Sequence, residues 1–158
     1  MTKPLRILVV EDSAHHRESA KKLLAGEADL DFVENFDHFL QKITEKPFQY
    51  DAVLSDIFFP TGDEHKDHNV PAGVGVFFIC RDKKIPCVLV TAGNHHGKDY
   101  EWVWKTVHNI IPMIGLVSYK EPWPLADCLG VGDGEAPEKR WKRAFEQLSE
   151  QLSLIVKK

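Results

Sequence analysis

The sequence predicts an α/β protein in which one parallel sheet is covered by helices on both faces. Two observations carry this. Short, nearly continuous apolar runs, of which Leu5–Val10 and Cys87–Val90 are the clearest, read as strands buried on both faces. Segments with helical spacing lie between them, so the chain reads as β-α repeated five times, the pattern of a sheet wound by right-handed crossovers.

Leu5–Val10 is the first strand. Ser13 caps a helix that runs to about Leu24, and Gly26 ends it. Asp31–Glu34 is a weak second strand. Asp37–Thr44 is helical, with Phe36, Phe39, Leu40 and Ile43 on one face, and Pro47 closes it. Ala52–Leu54 leads a third strand that ends at Asp56. Thr61–Pro71 is a polar loop. A short helix covers about Val74–Asp82, a fourth strand Pro86–Thr91, a helix Asp99 to about Asn109, and a fifth strand Met113–Ser118. Pro122–Ala136, rich in Pro and Gly, is irregular. Pro137–Val156 is a long amphipathic helix with Trp141, Phe145, Leu148, Leu152 and Ile155 on one stripe.

The 158 residues suit a single domain, 1–158, with inserted loops at about 61–73 and 121–136. The chain is 43% hydrophobic and 28% charged with a formal net charge of −4, so it lacks the basic footprint of a nucleic-acid binder. Its one dense basic cluster, Glu138-Lys139-Arg140 with Lys142-Arg143, alternates with apolar residues and reads as a solvated helical face. Cys80, Cys87 and Cys128 have neither metal-ligand nor redox-motif spacing and fit reduced thiols in a cytoplasmic protein. No signal peptide and no membrane span is evident.

In an open parallel sheet, chemistry gathers at the carboxyl ends of the strands. Glu11 and Asp12 follow the first strand, Asp56 ends the third, Thr91 ends the fourth, and Lys120 follows the fifth. Clustered carboxylates repel unless a cation sits among them, and Mg²⁺ accepts one or two carboxylates plus phosphate oxygens. A carboxylate can attack phosphorus to give an aspartyl phosphate, and catalysis of that transfer is mostly positioning and charge neutralisation.

Ile7-Leu8-Val9-Val10-Glu11-Asp12-Ser13, Asp56-Ile57-Phe58-Phe59-Pro60, Val90-Thr91-Ala92 and Lys120 together resemble the receiver domain of two-component response regulators, over the chain from about Leu5 to Lys120. The resemblance implies a flavodoxin-like doubly wound five-stranded sheet of order 2-1-3-4-5. It also implies Mg²⁺ held by Glu11, Asp12, Asp56 and the backbone carbonyl of Phe58. Asp56 would be the phosphoacceptor, with Thr91 and Lys120 attending the phosphoryl group. The implied donor is a histidine kinase or a histidine phosphotransfer protein. A downstream protein would be met through the face of the fourth helix, fifth strand and fifth helix, a surface that also carries homodimers. Neither direct nucleic-acid binding nor membrane attachment is implied.

The chain departs from the family pattern at several places. The acid pair is Glu-Asp, Glu121 stands between Lys120 and Pro122, and Val117 occupies the position where an aromatic is usual. Phe58, two residues past Asp56, offers nothing to orient a hydrolytic water, so slow loss of phosphate is expected. Six histidines, His15, His16, His65, His68, His95 and His96, fall at the carboxyl edge; polar loop composition accounts for them better than a metal-binding rim does. Trp102 and Trp104 lie two apart on one helix and cannot both face the core.

The expectation is therefore a stand-alone receiver that accepts phosphate on Asp56 in a self-catalysed, Mg²⁺-dependent step without being a turnover enzyme. The alternative is a receiver-like scaffold that binds proteins independently of phosphorylation. A Mg²⁺-dependent phosphohydrolase using Asp56 is the enzymatic rival, and it lacks a second catalytic acid beside Asp56.

Overall fold

The structure is a computed structural model and describes residues 3–91, 101–106, 125–127 and 139–156. Four strands of four to six residues form its sheet: β1 (Leu5–Val10), β2 (Ala28–Val33), β3 (Ala52–Ser55) and β4 (Cys87–Thr91). They pair in parallel in the order 2-1-3-4, with Val9 opposite Phe32 on one side and Leu54 on the other. A three-residue stretch, β5 (Leu125–Asp127), pairs in parallel outside β4, Thr91 lying opposite Asp127.

That outer edge corrects the expected architecture. The expected strand Met113–Ser118 lies outside the described residues, and the partner of β4 comes from the stretch read as irregular.

The helices are α1 (Ala14–Leu23), α2 (Phe36–Thr44), α3 (Ala72–Asp82), α4 (Glu101–Lys105) and α5 (Trp141–Val156). Ser13 accepts from His16 N–H at the start of α1, and Gly26 follows its end at φ 79°, where a side chain would be strained. Asn35 caps α2 by accepting from His38 N–H at 2.8 Å.

Strand alternation sorts the core into two layers. Leu8, Val10, Val53, Cys87 and Leu89 point to the face covered by α2 and α3 through Phe39, Ile43, Val76, Phe77 and Cys80; Val103 of α4 joins this layer. Ile7, Val9, Leu54, Val88 and Val90 point to the face covered by α1 and α5 through Ala20, Leu24, Trp141, Ala144 and Leu148. The sheet is thus doubly wound, and β1, β3 and β4 end on a common edge. Among the described residues Trp102 is the one large apolar side chain exposed, at 51%, and no helix is long and apolar enough to cross a membrane.

Candidate functional site

Backbone pairing carries past the ends of the strands and sets the acids in place. Glu11 N–H donates to Val33 O and Asp56 N–H to Val10 O, each at 2.9 Å. One carboxylate oxygen from each of Glu11, Asp12 and Asp56 then lies within 4.8 Å of the others. Glu11 and Asp56 are buried and Asp12 is half-buried. Thr91, 1% exposed, ends β4 on the same edge. Phe58 is half-buried and packs against the α2–α3 layer. Lys120, His95 and His96 lie outside the described residues.

The cation that the described residues bring to this cluster is Lys139. Its Nζ pairs with Glu11 Oε2 and lies 2.8 Å from Asp56 Oδ2, and the residue is 3% exposed. This corrects the reading of residues 138–143 as a solvated face. Fully buried Trp141 seats the first turn of α5 on the sheet, and its N–H donates to Lys139 O at 2.9 Å. Lys139 is drawn inward with it, its Nζ 5.8 Å from the Trp141 ring, while Arg140, Lys142 and Arg143 remain on the solvent side.

Burial pushes the Glu11 carboxyl up to about 7; Lys139 opposes that shift and Asp56 adds to it. Burial also raises Asp56, against the pull of Lys139 and of the Ile57 N–H that donates to its Oδ1 at 2.6 Å. Burial alone would favour a neutral Lys139, but Asp56 and Glu11 outweigh it and hold its pKa above the ordinary value. Three carboxylates against one ammonium leave two formal negative charges, the charge a divalent cation would balance. His16 is held down to about 4 by burial, then by Lys139 and His15, so it stands neutral beside the site at pH 7. The metal-competent cluster among the described residues contains no histidine.

Three more residues serve the site without having been foreseen. Arg17 donates to the backbone carbonyls of Glu11 at 3.0 Å and Asp12 at 2.8 Å and pairs with Glu34 at 3.1 Å, clamping the acid pair to α1. Its place one turn after the Ser13 cap is a signal the sequence held. Gly73 opens α3 directly against the acceptor loop: its N–H donates to Ile57 O at 3.0 Å, and a Cβ there would fall 2.0 Å from Asp56 O. Asn69, from the loop after β3, donates from Nδ2 to Asp12 Oδ2 at 3.2 Å.

These features define a receiver-type fold with its acid cluster at the strand ends. Compared with solved structures, the chain is similar to the signal receiver domain of a protein described as a Luxo repressor, from Vibrio parahaemolyticus. The TM-score is 0.56 at 18% identity, covering 96% of this chain and 95% of the other. No protein-family model and no curated protein matches the sequence.

Proposed function

We propose that this protein is a response-regulator receiver that takes a phosphoryl group on Asp56. The observation that supports the reading best is the meeting of Glu11, Asp12, Asp56 and Lys139 at the strand ends of a receiver-type sheet. In the transfer, an Asp56 carboxylate oxygen forms a bond to phosphorus as the bond from phosphorus to the donor's leaving group breaks. Lys139 balances charge on Asp56 before transfer and on the phosphoryl oxygens after it. Thr91, which ends β4 on the same edge, would donate a hydrogen bond to one of those oxygens. Glu11, Asp12 and Asp56 offer the hard oxygen donors that suit Mg²⁺, with the Phe58 carbonyl as a further ligand, and the ion would supply charge neutralisation.

The phosphodonor proposed is a histidine kinase or phosphotransfer protein. Phosphorylation replaces the single carboxylate charge of Asp56 with a phosphoryl group of about −1.5 to −2 beside Lys139, a net gain of about one negative charge or less. Because Lys139 leads directly into α5, the change is delivered to the α4–β5–α5 side, where exposed Trp102 is available to a downstream protein or a second copy. The step is a single self-catalysed acceptance and not turnover of a substrate.

Incubation with acetyl phosphate and Mg²⁺ is expected to place a hydroxylamine-labile phosphoryl group on the peptide that contains Asp56. A stable phosphoester on another peptide would refute the assignment. The phosphoryl group is also expected to be long-lived, because Phe58 packs toward the apolar layer and offers no polar group for a hydrolytic water. A measured loss within seconds would contradict that expectation.

A further inference from the structure

We infer that the loop joining β3 to α3 is a structured strap, and that its Asn69 is a positioning residue for the metal-facing carboxylate of Asp12. The inference rests on the reading of the acid cluster as a Mg²⁺ site. The two ends of the strap are tied together: Phe59 N–H donates to Val70 O and Val70 N–H to Phe59 O, both at 3.2 Å. Its near side is tied to the start of α2, where Phe36 N–H donates to Pro60 O at 3.1 Å and Asp37 N–H to Thr61 O at 2.9 Å. Buried Asn35 donates to Asp63 Oδ1 at 2.9 Å, and His38 lies 3.5 Å from Asp63 Oδ2. Two successive turns, His65 N–H to Gly62 O at 3.0 Å and His68 N–H to His65 O at 2.9 Å, then carry the chain round to Asn69.

The loop therefore arrives at Asp12 with its path constrained, although its side chains are largely exposed. Asp12 is the least buried carboxylate of the cluster and the one whose orientation core packing fixes least. Arg17 holds its backbone carbonyl and Asn69 holds its Oδ2, which leaves Oδ1 to be presented to a cation. A hydrogen bond of this kind to a ligating carboxylate typically contributes 10- to 100-fold in metal affinity. Asp12, Asn35, Asp63 and Lys66 also line a small open pocket between strap and site, so Lys66 is a neighbouring strap residue with no hydrogen bond to Asp12 of the kind Asn69 makes.

The test is Mg²⁺ affinity by calorimetry on wild type, Asn69→Ala and Lys66→Ala, with Tm measured without Mg²⁺. Wild type is expected to bind. Asn69→Ala should bind about tenfold more weakly with an unchanged metal-free Tm, and Lys66→Ala, which removes a cation from the pocket, should bind as tightly as wild type or more so. At saturating Mg²⁺ the rate of phosphoryl acceptance by Asn69→Ala should return to the wild-type value. Equal affinity of wild type and Asn69→Ala overturns the role of Asn69 and leaves the Mg²⁺ site standing. So does an equal loss in Lys66→Ala. Absence of Mg²⁺ binding by wild type overturns both.

Discussion

Lys139→Met is expected to slow phosphoryl acceptance on Asp56 by on the order of 10²-fold, the usual cost of losing one charge-stabilising donor. The same change removes the buried counter-charge of Glu11 and Asp56. Breaking a buried pair from one side costs about 3 kcal/mol or more, a fall of roughly 6–12 °C in Tm for a domain of this size. The loss carries a pH signature. Burial already raises both carboxyls, Glu11 to about 7, and without Lys139 nothing of like strength opposes it. A carboxyl whose folded pKa lies above its unfolded value favours the fold below the unfolded value, and that contribution fades as pH rises through the folded one. The deficit of the variant should therefore be smallest near pH 4.5 and largest above about pH 7. Thermal melts at pH 5 and pH 8 check this, and equal deficits at the two values would contradict the placement of Lys139 between the acids.

Gly73→Ala is expected to cost about 3 kcal/mol, because overpacking of this size has no flexible side chain to absorb it. The added Cβ would meet the backbone of the acceptor loop, 2.0 Å from Asp56 O and 2.7 Å from Ile57 Cα. Relief requires α3 and the Asp56 loop to separate, which breaks the Gly73–Ile57 hydrogen bond and moves the nucleophile. A chemical melt should show the loss in midpoint, and phosphoryl acceptance should fall even where the variant is folded. Gly75 offers the contrast, since a Cβ there meets only the Phe36 ring at 3.3 Å. A Gly73→Ala variant as stable and as reactive as Gly75→Ala would refute the close approach.

The inner sheet and the acids were legible in the sequence because they rest on local pattern. A short apolar run with a carboxylate at or just past its end, as at Val9-Val10-Glu11-Asp12 and Ala52-Val53-Leu54-Ser55-Asp56, announces both a buried strand and what stands at its end. The cation is a different case. Lys139 lies 12 residues past β5 in a basic run, and only the burial of Trp141 decides which member of that run turns inward. Gly73 and Asn69 act on Asp56 and Asp12 across a long loop, through contacts that no local spacing encodes. The expected outer strand Met113–Ser118 lies outside the described residues, while the edge of β4 is met by Leu125–Asp127, a three-residue pairing that no apolar run announces.

The most direct test of the central claim is the intact mass of wild type and Asp56→Ala after incubation with acetyl phosphate, with Mg²⁺ and with chelator. Wild type with Mg²⁺ is expected to gain one phosphoryl unit, and neither the variant nor the chelator-treated protein is expected to gain any. No gain in folded, Mg²⁺-bound wild type, or an equal gain in Asp56→Ala, would contradict the claim.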